Sequence, residues 1–114
     1  MLCNVGSANN FEYICKFETY FKLSDEGDWI NKDTMKLRFY NSGKILKFYD
    51  YEIQAERSEL EIFVNDRTKI IALKVFKDRI DTFVLNKNTL YAKYQNMFFD
   101  NEGGGEYNIG KCTE

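Results

Sequence analysis

A chain of 114 residues carrying a formal charge of −2 has room for one domain and one hydrophobic core. Sixteen Lys plus Arg against eighteen Asp plus Glu leave no basic excess for nucleic-acid backbone contacts, and no run approaches the ~18 apolar residues of a membrane span. Histidine is absent, which excludes Ser-His and Cys-His nucleophile pairs and His-ligated zinc.

Residues 1–10 have no periodicity and read as a flexible tail ahead of a single β domain over 11–114. Met1-Leu2-Cys3-Asn4-Val5 is too short for the apolar stretch of a signal peptide, although Gly6-Ser7-Ala8 is small-residue sequence of the kind that precedes a cleavage site. From Phe11 the period is two. Phe11, Tyr13, Cys15, Phe17, Thr19, Phe21 and Leu23 fall on one face, and Glu12, Lys16, Glu18, Lys22 and Ser24 on the other. A strand separates these residues, whereas a helix would scatter them.

Ser24 to Asp28 is a polar break. Met35, Leu37 and Phe39 then alternate with Lys36, Arg38 and Tyr40, and Asn41-Ser42-Gly43-Lys44 signals a turn. Ile45 to Gln54 reads as a third strand, with Tyr51 to Arg57 as a turn of helix at most. Leu60, Ile62 and Val64 form the next inward set, followed by the turn Asn65 to Thr68. Ile71, Leu73 and Val75 come next, then Ile80, Thr82 and Val84 after the tight connection Lys77 to Arg79. Asn86 to Thr89 turns the chain into a long aromatic strand, Leu90 to Phe99. Asp100 to Gly105 reads as a flexible acidic loop, its glycines packing nothing, and Tyr107 to Cys112 as a short final strand. Turn signals every 8–12 residues and short connections predict an all-β antiparallel meander, a small barrel or sandwich of seven to eight strands. Phe17, Phe21, Leu37, Phe39, Ile62, Val64, Leu73, Val75 and Val84 are the expected core.

Gly103-Gly104-Gly105 lacks the Lys and the strand-to-helix context of a phosphate loop. The acids Asp25, Asp28 and Asp33, and likewise Asp100, Glu102 and Glu106, offer oxygen ligands but no EF-hand spacing, so solvated loop acids are the expectation, with no metal or other cofactor. In a closed meander the first and last strands become neighbours, which pairs Cys15 with Cys112; two free thiols in a reducing compartment are the alternative.

Tyr13-x-Cys15-x-Phe17 near the start and Tyr107-x-x-Gly110-x-Cys112 at the end resemble small secreted bacterial β proteins that open on an aromatic-x-Cys-x-Phe strand and close on Gly-x-Cys. The resemblance implies an exported barrel, periplasmic or secreted, with a bridging disulfide, and it implies no activity. Gly27-x-Trp29 is similar to the Gly-x-Trp that opens the lipocalin barrel. That likeness implies a Trp plugging one barrel end beneath Lys93 or Lys111, and a carrier of an apolar ligand.

The strands around Phe48, Tyr49 and Tyr51, and around Tyr91, Tyr94, Phe98 and Phe99, hold more aromatics than one inward face can accept. The excess predicts an outward binding surface of Tyr49, Tyr51, Tyr91 and Tyr94. Interleaved Lys47 and Lys93 would suit stacked single-stranded nucleic acid, but the acidic balance argues against it. The expectation is a non-enzymatic protein-binding module of the inhibitor, immunity or anti-defence type. Its partner is another protein, not nucleic acid or membrane, and a homodimer is the other use of such a face.

Overall fold

The computed structural model describes residues 10–100 and 102–114; Cys3 and all but the last residue of the expected tail lie outside them. The strands are β1 (Glu12–Lys22), β2 (Ile30–Ser42), β3 (Ile45–Asp50), β4 (Ala55–Glu56), β5 (Leu60–Asn65), β6 (Lys69–Val75), β7 (Arg79–Asn86), β8 (Tyr91–Phe98) and β9 (Gly105–Thr113). Every pairing is antiparallel. The order β1-β2-β3-β5-β6-β7-β8-β9 closes on itself through β9 and β1, and β4 adds a short flap to β3. This is an eight-stranded up-and-down barrel whose first and last strands pair, with the first half of β2 paired to β1 alone.

Turn chemistry sets the hairpins. Gly43, at φ 59°, makes the β2–β3 turn. Asp66 and Asn86 each fold a side chain back on the turn that follows. Asp66 Oδ1 accepts from the amides of Thr68 and Lys69 at 2.8 and 3.0 Å, and Asn86 Oδ1 accepts from those of Asn88 and Thr89 at 2.9 and 3.1 Å. The hydrogen bonds from the Thr68 amide and hydroxyl, then Lys69, hold the Asp66 carboxyl well below the usual carboxylate range.

The interior is filled by one face of each strand. Tyr13, Cys15 and Phe17 of β1 meet Leu37 and Phe39 of β2, Leu46 and Phe48 of β3, and Phe83 and Leu85 of β7. Phe39 stacks on Phe83 at 4.2 Å and lies 5.3 Å from Phe48, whose other neighbour is Tyr94 at 5.0 Å. The first strand therefore runs as its alternation predicts, and Phe17, Leu37 and Phe39 are core.

Three segments differ from the sequence reading. In β6 and β7 the inward residues are Ile70, Ala72, Asp81, Phe83 and Leu85, one position off the expected Leu73, Val75 and Val84. Both faces of β6 are apolar, so alternation alone cannot choose between them. The interior takes Ala72 because Phe83, its cross-strand partner, needs the space. In β5 a bulge between Ile62 and Val64 pushes Phe63 out to 60% exposure and leaves Ile62 and Val64 half-buried. Phe21, at the end of β1, is half-buried too. The third strand stops at Asp50, and residues 51–54 form a turn, with Gln54 at φ 54°, that leads into β4 rather than a helical turn.

The glycine run is also unlike its expectation. Gly103, Gly104 and Gly105 are buried at φ 74°, 94° and 156°. A Cβ on Gly104 would overlap the Lys22 carbonyl and the backbone of Leu23. The loop is docked against the β1–β2 connection, with the Asp25 amide donating to the Glu102 carbonyl at 2.7 Å.

Candidate functional site

β8 explains why the four expected tyrosines do not form one surface. Tyr91 and Tyr94 are three residues apart, so a strand sends them to opposite faces. Tyr91 is 55% exposed, and Tyr94 is 2% exposed inside the barrel, where burial pushes its phenol above the ordinary value. Tyr94 is therefore core and not part of an outward face. Tyr49 and Tyr51 share a parity and do meet, their rings edge to face at 5.3 Å; the Arg38 guanidinium lies 5.9 Å from the Tyr49 ring and the Lys36 ammonium 4.8 Å from that of Tyr51. Tyr91 stands on β8, four strands from β3 by either route around the barrel.

The end of the barrel where β7 begins and β3 stops is polar. Arg79 Nε donates to Asp81 Oδ1 at 2.9 Å, and this hydrogen bond raises the arginine further above its usual value. Asp50 pairs with Arg57 at 3.7 Å, and Glu106 with Lys32 at 3.6 Å. Thr19 donates to Asn108 Oδ1 at 2.6 Å, and Asn108 Nδ2 donates to the Tyr94 carbonyl at 3.0 Å. A cavity of about 180 Å³ opens beside Thr19, Met35, Asp50, Arg57 and Glu106. Asp50, Asp81 and Glu106 each have their own cation, so these three cap the apolar interior with compensated charge. The second carboxylate oxygen, Asp81 Oδ2, is buried without a hydrogen-bond partner. Among the described residues no three Cys, Asp or Glu side chains converge to hold a metal ion. The acids Asp25 and Glu102 line a separate surface hollow with Ser24 and Glu26.

Trp29 is 46% exposed on the outside of the barrel, packed against Tyr107 at 5.6 Å with the Lys22 ammonium 5.0 Å away. It anchors a loop and plugs neither end. Cys15 and Cys112 are joined in a disulfide across β1 and β9, their Cα atoms 3.9 Å apart.

Another outward apolar surface lies on β5–β8. Val75, Ile80 and Met97 are cross-strand neighbours on β6, β7 and β8, and Ile71 faces Val84 two rows along, beyond Leu73 and Thr82. Val75 is 64% exposed, and Phe63 on β5 lines the same groove as Leu73 and Val75. Where β3 and β5 part, a groove of about 400 Å³ runs between Ile45, Phe63, Leu73 and Val75. The sequence reading missed this face because it placed Leu73, Val75 and Val84 inside. The signal lay in the doubled apolar run Ile70 to Leu73, which supplies two faces instead of one.

Compared with known proteins, the chain matches no family model and has no significant similarity to any curated protein.

Proposed function

We propose that the chain is a non-enzymatic protein-binding module, and that its contact surface is the apolar outer face of β5–β8. The observation that carries this reading is the run Phe63, Val75, Ile80 and Met97 on the outside of a barrel whose inside is already filled. The patch has two apolar rows, Val75–Ile80–Met97 and Ile71–Val84 with Phe63, on either side of the mixed row Glu61–Leu73–Thr82–Gln95, and exposed apolar side chains grouped in this way mark a protein contact. A carrier would need room among the inward side chains, and Phe17, Phe39, Phe48, Phe83 and Tyr94 occupy that space. An inhibitor, immunity or anti-defence role would act through this contact.

A photo-crosslinking residue at Phe63 tests the reading. Irradiation in the producing cell should attach the chain to another protein, and the same group at Glu12, outside the patch, should give no such adduct. Adducts to lipid alone, equal labelling from both sites, or no adduct would overturn it. A cross-link only to a second copy would redirect the face to self-association.

A further inference from the structure

The opposite side of the barrel carries a different surface. Lys16 on β1 is the direct cross-strand partner of Lys36 on β2 and of Lys111 on β9. The row continues at both ends into a tyrosine: the Tyr51 amide donates to the Lys36 carbonyl at 3.2 Å, and Tyr91 on β8 is the partner of Lys111. With strands ~4.8 Å apart, the three lysines sit within about 10 Å of one another. All three are exposed, and among the described residues none makes an ion pair, although other lysines find one in Asp66, Glu59 and Glu106. Like charges placed directly opposite are destabilising, and this row does it twice on a chain of net charge −2.

We propose that the row Lys36–Lys16–Lys111 with its flanking Tyr51 and Tyr91 is a docking surface for an acidic face of another protein. The charge selects an anion, and three lysines side by side on neighbouring strands match a surface that carries several carboxylates. Two features select protein among anions. The Lys36 and Lys111 ammoniums already lie 4.8 and 5.7 Å over the Tyr51 and Tyr91 rings, where a stacked base would have to sit. A groove of about 350 Å³ between Lys16 and Lys36, lined by Phe17, Met35 and Thr34, suits an apolar side chain flanked by acids. Glu18 is the one acid on its rim, and its carboxylate accepts the Tyr20 hydroxyl at 3.0 Å. The proposal is independent of the apolar face, since β1 and β6 are four strands apart by either route.

The test is anisotropy of labelled poly-L-glutamate titrated with the full chain at low and moderate salt, with labelled oligo-dT and phosphatidylglycerol vesicles as parallel probes. Poly-L-glutamate should bind, more weakly as salt rises. Lys16→Gln with Lys36→Gln and Lys111→Gln should cost at least about tenfold in affinity. The control Lys69→Gln with Lys74→Gln and Lys77→Gln removes the same charge elsewhere and should cost less than about threefold. Thermal melts of both triple variants should show intact folds. Equal losses in the two triples would reduce the effect to net charge and overturn the proposal. Failure to bind poly-L-glutamate, or tighter binding to oligo-dT or vesicles, would overturn it as well.

Discussion

Gly110 on β9 faces Phe17 on β1, and a Cβ there would overlap the Lys16 carbonyl and crowd the Phe17 backbone. The Gly110-x-Cys112 spacing thus has a steric reason, because the close approach that admits the disulfide leaves no space for a side chain two residues away. Gly110→Val should destabilise the barrel by about 1–3 kcal/mol in denaturant unfolding, through overpacking against backbone. Tyr94 behaves as core. Tyr94→Ala should cost about 3–5 kcal/mol, whereas Tyr91→Ala should stay within about 0.5 kcal/mol. The Tyr94 phenol also sets a pH dependence. Burial raises it, so the folded chain keeps its proton where the unfolded chain, at the ordinary 10.0, has begun to lose it. The resulting stability is fully present below pH 10.0 and is lost as pH rises through the raised folded value. Tyr13, raised by burial and by Glu114, adds in the same direction. Urea midpoints measured on the alkaline side should therefore fall with pH, and fall less in Tyr94→Phe. A flat profile for the parent chain would contradict the buried phenol.

Strand order, hairpin rhythm and the inward face of β1 were legible in the sequence because Tyr13, Cys15, Phe17 and Thr19 alternate with residues that are mostly polar. β6 and β7 were not, for two reasons. Ile70 and Ile71 compete for the same face, and Asp81, an inward acid compensated by Arg79, makes the true inward set of β7 look like the outer one. Any period-two reading treats a charge as outward, and a capped barrel mouth breaks that rule. The lysine row was invisible for another reason, since only the register of three strands brings residues 16, 36 and 111 together. That register predicts a stability effect separate from binding. Lys16→Glu replaces two repulsive cross-strand pairs with attractive ones and should stabilise the fold by roughly 0.2–1 kcal/mol per pair, read from a higher melting temperature at low salt. The seam between β3 and β5 is the thinnest, with two residue pairs in register, Ile45↔Glu61 and Leu46↔Leu60. Hydrogen exchange should find the amides of β4 and of that seam opening before those of β7 and β8.

At the scale of the molecule, the barrel presents an apolar side centred on β6 and a cationic side centred on β1, separated by half its circumference. Two partners could thus engage it without touching. The Cys15–Cys112 bridge locks the closing pair of strands, and replacing both cysteines with serine should cost up to about 4.7 kcal/mol by the chain-entropy account, measured as a lower urea midpoint. The same bridge has a mechanical consequence. Ile14 faces Thr113, so the start of β1 and the end of β9 leave the barrel side by side. A load pulling these two ends apart would act as on a zipper, peeling one strand from the other a rung at a time. With the sulfurs joined, the load reaches the covalent link after a single rung, and the 97-residue span behind it carries no tension. Single-molecule stretching from the ends should therefore show an inextensible domain until a reductant is added. After reduction, roughly 320–350 Å of hidden chain should pay out at low force.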